Sequence, residues 1–221
     1  MDGMQHMETN MTNQPKKGEF FELLPDGRRG GKGHGVIFEN EQALLTPPRL
    51  ILQPDEGGFP PLRETPLLIY NPMEGALPQD LEGGFSGYWL VSERLRKVME
   101  SVDADADAFA FADADYRLAD GSKGPTVFLC DVVRTLDALD EEASELDIKI
   151  SDDYEAGKYY SLAGGSRLAF KSDVLGNAHV FKLPFNDGVF CDWVFKEAAE
   201  AAGIGTNGNS DGLWLYDTVN C

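Results

Sequence analysis

The second half of this chain contains more strand-like segments than helical ones, and the two kinds do not alternate. Segments rich in aromatic and β-branched residues lie at 127–139, 146–150, 159–162, 167–170 and 179–183. Glycine-containing turn signals at 164–165 and 176–177 separate several of them. Because a doubly wound parallel sheet needs strands and helices in alternation, we predict an α+β fold. It consists of a largely antiparallel sheet of short strands with a few packed amphipathic helices.

Two segments have the pattern of capped amphipathic helices. Ser92 is a typical N-cap residue, and the residues after it place an apolar stripe on one helix face: Leu95, Val98, Met99 and Val102. Asp192 begins a second such segment, which Gly203 ends and whose stripe consists of Phe195, Ala198, Ala199 and Ala202. Trp89 and Trp193 flank the two helix starts, and we interpret both as core residues.

The sequence predicts one folded domain with a disordered N-terminal tail. A length of 221 residues with 42% apolar content allows a sizeable core. Residues 1–19 are polar and lack periodicity, so we predict a disordered tail there and a single domain over 20–221. Within that domain, 20–87 is rich in proline and glycine, 88–203 is the core and 204–221 is a tail. Residues 1–19 contain no secretory signal, and no later segment is apolar over the length needed to span a bilayer. We therefore expect the protein to stay in the cytoplasm.

Net charge excludes some partners. The formal charge is −19 and the pI is near 4.4, which disfavours direct binding to nucleic acid or to anionic membranes. Sixteen acidic and only four basic residues lie between Asp103 and Glu155. This stretch is either an anionic face that meets a basic partner or a solvated surface that keeps the protein soluble.

No motif in the sequence supports a cofactor or a metal. Residues 103–114 begin like a calcium loop, but Ala108 stands where glycine is needed and Ala114 where a bidentate glutamate is needed. The glycine-rich segment 27–35 lacks the spacing of a phosphate-binding loop. Cys130, Cys191 and Cys221 form neither a disulfide framework nor a zinc pattern. Cys191 with His179 could form a catalytic thiol pair, although no third orienting group is evident.

An ordered set of segments resembles a known family. The set comprises Tyr88–Leu95, Phe128–Arg134, Leu136–Asp140, Lys158–Leu162, Asp173–Phe181 and Phe190–Asp192. Over roughly residues 85–203 it resembles a family of bacterial immunity proteins from polymorphic toxin systems, immunity family eleven. The resemblance implies a protein that neutralises a toxin encoded beside it, and the neighbouring toxins of this family are often nucleases of the histidine–metal kind.

The sequence therefore predicts a non-enzymatic immunity protein that binds a cognate toxin effector from the adjacent gene, with a nuclease domain as the expected target. The predicted partner-binding residues are Asp103, Asp105, Asp107, Asp113, Asp115, Glu141, Glu142 and Glu145. Association into homo-oligomers stays open. The alternative is a hydrolase or small-ligand-binding protein that uses the neighbourhood of Cys191 and His179.

Overall fold

The computed structural model describes residues 13–29, 33–103, 107–154, 156–206 and 208–221. Within these ranges the chain forms thirteen strands and three α-helices. The strands are β1 (Phe20–Pro25), β2 (Val36–Phe38), β3 (Leu67–Tyr70), β4 (Leu81–Phe85), β5 (Tyr88–Ser92), β6 (Phe109–Asp113), β7 (Asp115–Arg117), β8 (Val127–Val132), β9 (Asp147–Ile150), β10 (Lys158–Ser161), β11 (Val180–Leu183), β12 (Asn186–Asp192) and β13 (Leu213–Asp217). The helices are α1 (Glu93–Val102), α2 (Ser172–Leu175) and α3 (Trp193–Ala201), and short 3₁₀ helices lie at Gly27–Arg29 and Glu41–Ala43.

The described strands are divided among four sheets. Two have four strands, in the orders β11-β12-β1-β13 and β4-β5-β8-β6, and both are antiparallel throughout. A three-stranded sheet, β2-β3-β7, contains one parallel pair, β3 with β7. The hairpin β9-β10 stands alone. The α+β prediction is confirmed, with several small sheets in place of one.

Each four-stranded sheet contains a hairpin that runs directly into a helix. β4 and β5 lead into α1, where the Ser92 hydroxyl accepts a hydrogen bond from the Leu95 N–H. β11 and β12 lead into α3, where the Asp192 carboxylate accepts from the N–H groups of Val194 and Phe195. Both N-caps were predicted from the sequence, because capping depends on residues that are neighbours in the chain. The two helices pack against each other.

Three hydrophobic clusters lie between or against the sheets. The first is enclosed by both four-stranded sheets together with α1 and α3, and it includes Val91, Leu95, Val180 and Phe195. The second lies between β4-β5-β8-β6 and β2-β3-β7. The third covers the other face of β11-β12 with α2 and the hairpin β9-β10. Strand β8 is buried over its whole length, because its two faces belong to the first and second clusters.

Several sequence-based assignments were wrong. The strand predicted at 127–139 ends at Val132, and the segment 167–170 forms only isolated bridges with Glu145 and Leu139. Ala202 follows α3 and is exposed. Trp193 is 49% exposed, so it is not a core residue, whereas Trp89 packs against the first cluster as predicted. None of the helices in the described residues has the length and apolar character needed to span a bilayer.

Candidate partner-binding surfaces

The predicted acidic residues lie in two separate parts of the fold. Asp113 ends β6 and Asp115 begins β7, next to the second hydrophobic cluster, whereas Asp103 directly follows α1. Glu141, Glu142 and Glu145 lie in the segment before the hairpin β9-β10, which belongs to the third cluster. Asp105 lies outside the described residues. The concentration of charge along the sequence therefore corresponds to two acidic surfaces and not to one.

Asp103 is buried and cannot be a surface contact. Its side chain is 2% exposed and forms an ion pair with Arg134. The same carboxylate accepts hydrogen bonds from the backbone N–H groups of His179 at 3.0 Å and Val180 at 2.8 Å. It thereby joins the end of α1 to the end of β8 and the start of β11. The prediction that Asp103 binds a partner is therefore wrong, and its role is structural.

Other buried carboxylates also hold chain segments together. Asp80 accepts hydrogen bonds from the Ser92 hydroxyl and from the Arg94 guanidinium, and so joins the segment before β4 to the start of α1. Asp131 in β8 accepts from the Gly58 N–H at 2.6 Å and lies 3.4 Å from the Lys182 ammonium. Part of the chain's large negative charge is thus internal and satisfied, as burial of charge requires.

The remaining acidic residues are available to solvent to different degrees. Asp107 and Asp113 are exposed, whereas Asp115 pairs with Arg117 at 2.7 Å. The hydrogen bond from Arg117 lowers the pKa of the Asp115 carboxyl. Asp107 and Asp113 are therefore exposed carboxylates without the arginine partner that Asp115 has.

In the second region, Glu141 already has side-chain partners, whereas Glu142 is exposed. The Glu141 carboxylate accepts from the Lys158 ammonium and the Tyr160 hydroxyl, and these contacts lower the pKa of Glu141. Glu145 is exposed, and its carboxylate lies 3.9 Å from the Arg167 guanidinium. Of these three residues, Glu142 and Glu145 are thus less engaged by neighbouring side chains than Glu141.

The structure does not form the proposed thiol pair from Cys191 and His179. Cys191 is fully buried in the first cluster and lies opposite Val180 in the β11-β12 register. The His179 ring instead contacts Asp192, with Nδ1 2.8 Å from the Oδ2 oxygen. Burial raises the pKa of the Cys191 thiol well above its usual range, which disfavours the thiolate that a nucleophile needs.

All three thiols should react slowly in the folded protein. Cys130 and Cys191 are buried with raised pKa values, and burial with nearby Glu22 and Asp217 raises the pKa of Cys221 to about 12. We expect slow labelling by a thiol reagent at neutral pH and rapid labelling of all three after unfolding in urea. The time course of labelling measures this. Rapid labelling of Cys191 in the native state would restore the catalytic alternative.

A groove lies between the hairpin β9-β10, the β11-β12 turn and the loop that carries Gln53 and Asp55. Its volume is about 960 Å³, and its lining includes Tyr154, Tyr159 and Phe185. The two tyrosine rings stack with centroids 5.6 Å apart. Among the described residues, no cluster of three side chains suited to a metal lies in this groove or elsewhere. The groove is a mixed polar and aromatic surface.

A comparison with protein families decides the identification. The immunity protein family Imm11 matches residues 19–220. The chain belongs to this family. No curated protein matches the sequence.

The Imm11 match extends well beyond the segments that carried the resemblance. It includes the proline-rich part before residue 85 and the tail after Gly203. In the structure those parts supply β1 and β13, which pair with each other in the same sheet as β12. β1 and β13 therefore complete a sheet whose other two strands, β11 and β12, belong to the segment that carried the resemblance.

Sequence reasoning missed an exposed pair of apolar residues in this Imm11 protein. Leu50 is 92% exposed and Ile51 is 54% exposed, in the loop between the Glu41–Ala43 turn and β3. The sequence pattern showed an apolar run, which usually indicates burial. No local signal distinguishes an apolar run that packs inward from one that points outward.

Proposed function

We propose that this immunity protein neutralises a toxin encoded by the adjacent gene through stoichiometric protein–protein binding. The family match over residues 19–220 is the observation that carries the proposal. The buried, high-pKa cysteine beside a histidine that contacts Asp192 supports a binding role over a hydrolytic one. The three cysteines are free, in keeping with action in the reducing cytoplasm.

The proposed target is a nuclease domain. A nuclease must attract phosphate, so its active-site cleft is basic. Asp107, Asp113, Glu142 and Glu145 are exposed carboxylates that complement such a cleft and raise the rate of encounter. The immunity protein would then block the toxin by occupying the cleft or a surface beside it, and would not itself bind nucleic acid.

Co-expression with the adjacent gene tests the proposal. The host should survive production of the toxin only when the immunity protein is present, and the two proteins should co-purify at a fixed ratio. Loss of viability despite full expression of the immunity protein, together with no complex, would contradict the proposal.

Charge reversal should identify which acidic surface meets the toxin. The double variants Asp107→Lys/Asp113→Lys and Glu142→Lys/Glu145→Lys change the net charge equally. We expect at least one to lower the association rate about tenfold at low salt, because complementary charge steers encounter. Stopped-flow association at several salt concentrations measures the effect, which should shrink as salt rises.

The variant Glu74→Lys/Glu197→Lys is the matched control. Both residues are exposed and lie outside the two acidic surfaces, and the change in net charge is the same. If this variant slows association as much as the other two, the effect comes from total charge and the acidic surfaces are not specific contacts.

A further inference from the structure

The loop before Leu52 presents an apolar tip to solvent. Residues 46–51 are all exposed, and the tip, defined here as Leu50 and Ile51, is 92% and 54% exposed. The exposed stretch lies between two buried leucines, Leu44 and Leu52, with exposed fractions of 0% and 1%. The chain thus leaves the core, exposes an apolar pair and returns to the core within eight residues.

Both ends of this loop are held by hydrogen bonds. The Leu52 N–H donates to the Ser86 hydroxyl at 2.7 Å, and the Gln53 N–H donates to the Ser86 carbonyl at 3.2 Å. On the other side, the Arg63 N–H donates to the Leu44 carbonyl at 3.0 Å, and its guanidinium donates to the Thr46 hydroxyl at 2.6 Å. A loop anchored in this way loses little conformational freedom when a partner binds it.

Exposed carboxylates follow the tip. Asp55 and Glu56 are both exposed, and in the described part of the chain neither side chain makes an ion pair or hydrogen bond. Arg49, which directly precedes the tip, is also exposed, so charged residues lie on both sides of the apolar pair along the chain. An apolar centre with polar surroundings is the usual composition of a protein interface, and free carboxylates near it complement lysine or arginine on the partner.

We propose that the tip formed by Leu50 and Ile51 is the apolar anchor by which this immunity protein docks on its toxin. It inserts into an apolar depression on the toxin that is edged by lysine or arginine residues, which meet Asp55 and Glu56. The inference rests on the proposed function and names the contact surface. It adds an apolar anchor to the acidic surfaces, whose charges act mainly on the rate of encounter.

The test compares a tip variant with a matched control. Leu50→Ser/Ile51→Ser removes the apolar tip. Met73→Ser/Leu77→Ser makes the same kind of change in the loop between β3 and β4, where the two side chains are 74% and 55% exposed. The probe is the product of the adjacent gene in a catalytically inactive form. Affinity is measured by calorimetry, and thermal unfolding confirms that each variant is folded.

We expect the tip variant to bind at least about tenfold more weakly, with the control within about twofold of the wild type. Wild-type binding that the tip variant retains would overturn this inference alone. Failure of the wild type to bind would overturn the proposed function and this inference with it. Wild-type self-association that the tip variant abolishes, with toxin binding unchanged, would assign the tip to a second copy of the chain and overturn the proposal.

Discussion

Replacing Asp103 with alanine should lower the free energy of unfolding by about 3–5 kcal/mol. The substitution removes the carboxylate that pairs with the largely buried Arg134 guanidinium, and it leaves the N–H groups of His179 and Val180 without their acceptor. Buried groups that lose their partners cost the free energy of desolvation without compensation. Urea unfolding at neutral pH, followed by fluorescence, measures the change.

Asp107→Ala is the matched control for this prediction. Asp107 is exposed and belongs to the same acidic stretch of sequence, so its replacement should change the free energy of unfolding by less than about 0.5 kcal/mol. Equal effects of the two substitutions would show that Asp103 does not have the structural role assigned to it.

Replacing Phe181 with alanine should destabilise the protein by about 3–5 kcal/mol. Phe181 is fully buried in the third cluster. The centroid of its ring lies 5.4 Å from the ring centroid of Phe170 and 6.0 Å from that of Phe190. Alanine leaves a cavity that the surrounding rings fill only in part. The midpoint and slope of a urea unfolding curve give the change in free energy.

Trp193→Ala provides the comparison, because it removes a larger ring from a position that is 49% exposed. We expect a destabilisation of less than about 1.5 kcal/mol, since much of the ring is already in water. If Phe181→Ala were no more destabilising than Trp193→Ala, the packing described for the third cluster would be wrong.

The destabilised variants Asp103→Ala and Phe181→Ala also affect how survival assays in cells are interpreted. A loss of 3–5 kcal/mol uses a large part of the stability of a typical domain, about 5–15 kcal/mol. The folded protein then becomes scarce, and the host loses protection although no contact with the toxin has changed. Survival assays on any variant therefore need a parallel measurement of the amount of folded protein.

Local signals allowed α1 and α3 to be predicted but not the short α2, and they did not reveal several strands. Ser92 and Asp192 cap α1 and α3 as the sequence indicated. β5 and β12 end at these cap residues with no turn between strand and helix, so their aromatic runs were not recognised as strands. Residues 109–113 were not predicted to form a strand, and β6 forms there because β8 supplies its hydrogen-bond partners.

The sequence by itself determined the α+β class, the two capped helices and, through the order of its motifs, the resemblance to the family. Each of these depends on residues close together in the chain or on their order along it. Only the tertiary structure decided which acidic and apolar residues are buried and which are exposed. Asp103 is buried because Arg134 and His179, 31 and 76 residues further along, contact its carboxylate. Leu50 is exposed in a loop that is fixed at Leu52 by Ser86, 34 residues further along. Burial depends on such distant contacts, and local sequence does not contain them.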